Sequence, residues 1–219
     1  MTDDSGGVGA PAPSEREWVD IGSTVLLALA TVAIAWSSYQ ANRWGGEQSI
    51  AFSAASAARI ESSRASTRAG QQIQIDVTLF SQWIDAYARK ETKLYEFYFE
   101  RFRPEFKPAI EAWLATQPQT NPDAPPSPFA MPQYKLAEQE NADRLAVAAE
   151  AQTELAKRNN QRSDNYVLCV VLFAASLFFA GVSTKIASTR SRIAILALGY
   201  LVFLLTVVWI LTFPVSFSV

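Results

Sequence analysis

The sequence contains no histidine and a single cysteine, Cys169, which lies inside an apolar run. Without histidine the chain lacks the commonest general base and the commonest metal ligand. One cysteine cannot form a disulfide within the chain, and apolar surroundings disfavour the reactive thiolate. The formal charge of −2 is too small to indicate a nucleic-acid partner. These absences argue against an enzyme, a cofactor or metal site, and a nucleic-acid binder.

Charge is also missing from three long apolar runs, residues 21–36, 166–182 and 193–213, which predict an integral membrane protein. The three predicted transmembrane helices occupy residues 18–38, 166–184 and 193–213. The second and third runs would each be about 25–31 Å long as helices, and Trp18 and Trp36, which bracket the first, would lie about 27 Å apart, so each is long enough to cross a bilayer. A cleavable signal peptide is the alternative for the first run. The acidic residues before it disfavour that alternative, because signal peptides begin with basic residues.

The loop between the second and third predicted spans, residues 185–192, is short and basic and has no acidic residue. The positive-inside rule therefore places this hairpin in the cytoplasm, although basic residues before the second span weaken the bias. The N-terminus would then also be cytoplasmic, and residues 39–165 would lie outside the plasma (inner) membrane of a bacterium. Residues 1–17 are predicted to be a disordered tail, and residues 214–219 a short outer tail. The third span is expected to stand apart from the other two.

Residues 39–165 carry a helical pattern that predicts an all-α extramembrane stalk. Small residues recur at steps of three and four along its first helix: Ala51, Ala54, Ala55, Ala58, Ser62, Ala65 and Ala69. A second alanine-striped helix is predicted from about Tyr134 to Arg162. Since alanine faces allow two helices to approach closely, the pattern favours an antiparallel, coiled-coil-like stalk. Gly70 is expected to mark a close crossing or a bend.

The outgoing helix has no proline before Pro104, so it is predicted to continue to about Phe102. Aromatic residues gather there and predict an aromatic tip, and a short helix from Ala109 to Ala115 is expected to fold back. The aromatic side chains would either pack the core of the tip, which is the favoured reading, or form a binding platform edged by Arg101, Arg103 and Lys107. Four glutamates nearby, Glu91, Glu96, Glu100 and Glu105, would either hold a cation or form helix-surface pairs, and their basic neighbours favour the pairs.

A proline-rich loop over residues 117–133 joins the tip to the returning helix. Its composition predicts an extended or polyproline II segment running back along the stalk.

Polar and aromatic residues form a collar where the first two spans are expected to leave the bilayer. The candidate site residues are Trp36, Tyr39, Arg43 and Trp44 after the first span, and Asp164 and Tyr166 at the second. Arg43 and Asp164 are predicted to pair. The collar would act as a gate or partner-docking ring, or it would only anchor the helices at the interface, as such residues commonly do.

Two stretches, AWSSYQANRWGGEQ and NNQRSDNYVLCVVLFAASLFFAG, resemble the bacterial membrane proteins of domain-of-unknown-function family 4337. The resemblance implies one span, a helical arm and two further spans. It implies no activity, substrate or catalytic residue.

The sequence therefore favours a structural or interaction protein that is not an enzyme and has no cofactor. Its expected partners are the lipid bilayer and either further copies of the chain or an unidentified membrane or envelope protein. The alternative is a component of an oligomeric channel or transporter, although no charge lies within the apolar runs to mark a path.

Overall fold

The computed structural model describes residues 15–216, with side chains described from residue 17 onward. This part of the chain is all-α, without a β-strand. The five helices are α1 (Glu15–Ala88), α2 (Thr92–Arg101), α3 (Lys107–Ala115), α4 (Ala137–Ser183) and α5 (Thr189–Ile210). Helices α1, α4 and α5 each contain a stretch long and apolar enough to cross a membrane. The prediction of an all-α chain with three candidate spans is confirmed.

The helix boundaries differ from the predictions in places. Helix α1 begins at Glu15, inside the predicted tail, and the earlier residues of that tail lie outside the described part. It ends at Ala88 rather than near Phe102, because a turn with a positive φ of 61° at Lys90 separates it from α2. Helix α5 begins within the predicted hairpin, at Thr189. The predicted outer tail is described only as far as Ser216.

The described residues form two compact units, and α1 and α4 contribute residues to both. The first unit holds the ends of α1 and α4 that contain the apolar runs, together with α5; its boundaries are Ala51 and Glu154. The second unit spans Phe52–Thr153 and holds the rest of α1 and α4, with α2, α3 and the proline-rich loop.

In the first unit, α5 packs directly against α1 and α4, so the expectation that the third span stands apart is wrong. A Cβ added to Gly199 of α5 would lie 3.1 Å from a methyl of Leu26 and 3.2 Å from Cβ of Phe179. Ser176 and Ala180 of α4 are fully buried at this contact, and their small size lets the helices approach closely. Many large apolar side chains of the three helices point outward instead: Val32, Val171, Phe178, Leu205 and Val208 are among those at least half exposed, while Leu26, Phe173 and Leu196 are buried.

The second unit has an aromatic core. Its buried members are Trp83, Phe102, Phe106, Ala109, Ile110 and Trp113. We call this group, with the aromatic rings packed around it, the aromatic cluster. It brings together the end of α1, the segment after α2, and α3. The favoured prediction, that these aromatic residues pack a core, matches this arrangement.

The proline-rich loop is not an extended or polyproline II segment, so that prediction is wrong. It folds as a series of turns with a 3-10 turn at Pro128–Ala130. The loop is drawn onto the core by two contacts. Trp113 Nε1 donates a hydrogen bond of 2.7 Å to the carbonyl of Pro125, and Phe129 stacks on Phe106 with 5.1 Å between ring centroids. Burial of these rings outweighs the backbone preference of the prolines.

The alanine seam of α1 is largely covered within the second unit and its boundary. Ala51, Ala55, Ala65 and Ala69 are buried, while Ala54 of the predicted seam is exposed. Gly70 lies within the continuous helix and a Cβ there would meet nothing within 4 Å, so it does not mark a close crossing.

Candidate functional site

The predicted collar lies within the first unit, and its centre is the pair Trp44 and Tyr166. Both side chains are buried. Trp44 Nε1 and the Tyr166 hydroxyl each donate a hydrogen bond to the carbonyl of Pro214, at 3.2 and 3.1 Å. Phe213 packs its ring edge-on against Tyr166 at 5.4 Å. The structure therefore joins one residue of each collar half through the segment that follows α5.

Gln40 adds a second attachment to the same segment. Its side chain is fully buried, its Oε1 accepts a hydrogen bond of 3.0 Å from the backbone N–H of Ser216, and its Nε2 donates one of 3.4 Å to the carbonyl of that residue. A buried amide needs such partners, because an unsatisfied one costs about 1–3 kcal/mol. The segment after α5 is thus the part of the site that the sequence did not indicate.

Trp36 and Tyr39 sit differently from the collar centre. Their rings pack against each other at 6.0 Å, and both side chains are at least 40% exposed. Exposed aromatic residues at the end of an apolar helix are typical of interfacial anchors.

The polar members of the collar link α1 to α4. Ser163 Oγ donates a hydrogen bond of 2.9 Å to the carbonyl of Ala41, and the Arg162 guanidinium lies 4.4 Å from the ring centroid of Trp44. Asp164 is exposed and accepts a hydrogen bond of 2.9 Å from the side chain of Asn160. The predicted pairing of Arg43 with Asp164 stays a prediction.

A second polar group in the first unit pairs α1 with α5. Arg192, nearly buried at the start of α5, donates hydrogen bonds to the Asp20 carboxylate and, at 3.0 Å, to the carbonyl of Ser183. Ser23 and Ser183 hydrogen-bond beside it at 3.0 Å. A charged pair thus lies where α1, α4 and α5 meet, with each charge compensated by the other.

The second unit contains a buried ion pair, Asp76 with Arg103. The two nitrogens Nε and Nη2 of Arg103 donate to Oδ1 and Oδ2 of Asp76, at 3.0 and 2.6 Å. Asp76 is completely buried, and the Tyr134 hydroxyl adds a third hydrogen bond at 3.1 Å. This two-pronged geometry is the strong form of an arginine–carboxylate contact.

The ion pair shifts the protonation equilibria of its partners. The hydrogen bond to Asp76 raises the pKa of Arg103, and burial raises the pKa of the Tyr134 phenol, with the negative charge of Asp76 adding to the effect. Tyr134 therefore stays neutral and Arg103 charged at all ordinary pH values. The sequence alone indicated no partner for Asp76.

These groups hold the fold rather than offer reactive chemistry. The carboxylate of Asp76 has its oxygens occupied by Arg103 and Tyr134. Among residues 15–216, no three histidine, cysteine, aspartate or glutamate side chains gather as a metal site would require.

Comparison of the chain with protein-family models, with curated proteins and with solved structures finds no match.

Proposed function

We propose that this chain is a structural membrane protein that self-associates through an exposed, uncharged surface of α1 in the second unit. From Gly70 to Gln82, the exposed side chains of α1 carry no charge, and the one charged residue of the stretch, Asp76, is buried. Three β-branched aliphatic side chains are exposed among them: Ile73, Ile75 and Val77. This uncharged stretch, Gly70–Gln82, is the observation that carries the proposal.

The alanine seam supports a different part of the proposal, an antiparallel stalk. Ser62 Oγ donates a hydrogen bond of 2.8 Å to the carbonyl of Ala142, and Arg68 pairs with Glu138 at 3.0 Å. Residue numbers thus rise on α1 as they fall on α4, which is the order that antiparallel helices give. In this proposal the aromatic cluster forms the tip of the stalk. Because the seam is already covered, the surface left for a partner is the uncharged stretch.

A second copy of the chain is the partner that the uncharged stretch favours. A two-fold interface sets the same surface against itself, so any charge on it would face its own copy. Glutamine, threonine and isoleucine side chains can pack against the same residues of the second copy without charge repulsion. Exposed aliphatic side chains on a helix bathed in water also gain free energy when a second helix covers them.

Disulfide crosslinking in native membranes tests this proposal. In a Cys169→Ser background, Gln74→Cys places a thiol on the uncharged stretch, and Val147→Cys places one on an exposed position of α4 as a matched control. We expect mild oxidation to give a dimer with Gln74→Cys and none with Val147→Cys. A monomer in both cases, or equal dimer in both, would refute self-association through this surface. If Gln74→Cys alone gave a crosslinked product whose size differs from that of the dimer, the partner would be a different protein.

We place the protein, as a further part of the proposal, in a bacterial inner membrane with the N-terminus in the cytoplasm and the second unit outside. Membership of domain-of-unknown-function family 4337 is part of the same proposal. It is supported by the sequence stretches around Trp36–Gln48 and Asn159–Gly181. A component of an oligomeric channel or transporter stays the alternative. A conductance measurement that compares the wild type with a variant in which both Asp20 and Arg192 are neutralised would test it.

A further inference from the structure

The second unit contains a cavity of about 370 Å³ beside the aromatic cluster. Four aromatic side chains and two carboxylates line it: Trp83, Tyr87, Tyr95, Phe99, Glu96 and Glu100. Its size lies near the lower end of the range typical of ligand pockets, about 300–1,000 Å³. The cavity is distinct from the uncharged stretch of α1 and from the Asp76 ion pair.

The aromatic walls of the cavity meet nearly at right angles. Tyr87 stacks on Trp83 with 5.0 Å between ring centroids and 15° between their planes, so these two rings act as one slab. Tyr95 meets Tyr87 at 5.7 Å and 75°. Rings that are nearly perpendicular to one another present several electron-rich surfaces to one small volume, and this arrangement attracts a cation.

The carboxylates give the cavity a negative rim. Glu96 and Glu100 lie four residues apart on α2, so both project from the same face of the helix. Both are exposed, and neither forms an ion pair with a lysine or arginine of residues 15–216. The expectation that Glu96 and Glu100 form helix-surface pairs is therefore wrong.

Two of the three basic residues that the sequence placed around the aromatic side chains are engaged elsewhere. Arg103 binds Asp76, and the Arg101 guanidinium carbon lies 3.4 Å from the ring centroid of Phe97, which does not line the cavity. The third, Lys107, lies at a wall of the cavity. Its Nζ lies 5.7 Å from the ring centroid of Phe99 and donates a hydrogen bond of 3.2 Å to the backbone carbonyl of Glu100. The carboxylate of Glu100 is left for another cation.

We propose that this cavity binds a small organic cation that carries a methylated ammonium group. Apart from the two carboxylates and the tyrosine hydroxyls, the walls are aromatic carbon, which cannot replace the full hydration shell of a metal ion or of a primary ammonium. A methylated ammonium has few or no N–H groups to satisfy and is attracted by both the rings and the carboxylates. The cation would be either a free solute or a lipid headgroup.

Choline is a suitable probe, and the neutral 3,3-dimethylbutan-1-ol, which has the same shape without the charge, is its control. We expect titration calorimetry on the full chain in maltoside detergent to show saturable binding of choline, at least about threefold tighter than that of the neutral alcohol. Absence of saturable choline binding would overturn the proposal, and so would equal binding of the two probes.

Two variants locate the binding. Tyr95→Leu and the double variant Glu96→Gln with Glu100→Gln should each weaken choline binding by about 3- to 10-fold. Phe97→Leu is the matched aromatic control, and Glu111→Gln with Asp123→Asn removes the same charge elsewhere; both should bind choline as the wild type does. Equal weakening by the controls would refute this cavity as the site. Displacement of choline by mixed maltoside micelles that contain phosphatidylcholine would identify a headgroup as the source and its absence a free solute, and both results support the site.

Discussion

The two units of this chain reverse the balance of burial. In the first unit, small and polar side chains such as Ser176, Ala180 and Gly199 are inside beside a few large ones such as Phe173 and Tyr166, and most large aliphatic side chains are outside. In the second unit, Trp83 and Phe106 are inside, and the outside is largely polar. The reversal indicates that the two units meet different solvents. Lipid removes the advantage of burying leucine and leaves close packing as the means of association, whereas water drives aromatic side chains into a core.

The reversal has consequences for where polar groups belong. In the first unit, buried polar side chains have partners within the unit, as Gln40 has in Ser216 and Arg192 in Asp20. The second unit concentrates its buried polarity in one ion pair beside the aromatic cluster. In both units a buried polar side chain fixes which segments meet, because any other pairing would leave it unsatisfied.

Deleting an aromatic side chain should give the largest difference in lost stability between the two units. Phe106→Ala deletes a fully buried ring and should lower the free energy of unfolding of the second unit by about 3–5 kcal/mol. Phe178→Ala removes the same ring from an outward position in the first unit and should cost no more than about 0.5 kcal/mol. Urea unfolding in mild detergent, followed by tryptophan fluorescence, measures both. Similar costs for the two variants would mean that the two units do not differ as described.

Breaking the buried ion pair should have the next largest effect. Arg103→Met leaves the carboxylate of Asp76 buried without its countercharge and should destabilise the second unit by about 3 kcal/mol. Adding Asp76→Leu removes the stranded charge, so the double variant should recover part of the loss. The same urea experiment provides the comparison. A double variant that is as unstable as the sum of the single variants would show that the two residues act independently.

Close packing in the first unit should be sensitive to added volume at one glycine and insensitive at another. Gly199→Leu drives a side chain into Leu26 and Phe179 and should cost about 2 kcal/mol. Gly181→Leu is the control, because a Cβ at that position meets nothing within 4 Å. The melting temperature in detergent, read by size-exclusion chromatography after heating, should fall for Gly199→Leu alone. An equal fall for both would show that α5 does not pack as described.

The smallest expected effect concerns the Tyr134 hydroxyl. Tyr134→Phe removes its hydrogen bond to Asp76 and should cost about 1 kcal/mol at neutral pH. Burial raises the pKa of this phenol in the folded state, so its contribution is fully present below about pH 10 and is lost as the pH rises from there toward the folded-state pKa. The stability difference between wild type and Tyr134→Phe should therefore shrink above about pH 10. A difference that stays constant to higher pH would contradict this reading.

The sequence predicted the features that depend on local pattern. Apolar runs located the candidate spans, Pro104 and the aromatic residues located the core after α1, and the collar residues Trp44 and Tyr166 do meet. Each of these follows from residues that are close along the chain or from a repeat that one helix face carries.

The features that the sequence missed depend on contacts between distant residues. Asp76 meets Arg103 from 27 residues away, and Asp20 meets Arg192 from 172 away. The break at Lys90 has no proline or glycine to announce it. The proline-rich loop folds into turns because Phe129 has a ring to stack on, which only the assembled cluster provides. Contacts between distant residues determine these features, so the propensity of a local segment cannot predict them.

Accessibility of single cysteines to a water-soluble maleimide in native membranes tests the reversal of burial most directly. In a Cys169→Ser background, Val32→Cys and Leu205→Cys report on outward positions of the first unit, and Ile60→Cys and Val147→Cys on outward positions of the second that lie off the uncharged stretch. All four side chains are exposed in the isolated chain, so only the surrounding solvent should distinguish them. We predict rapid labelling at 60 and 147, and labelling at 32 and 205 only after detergent denaturation. Equal labelling of all four in intact membranes would contradict the account.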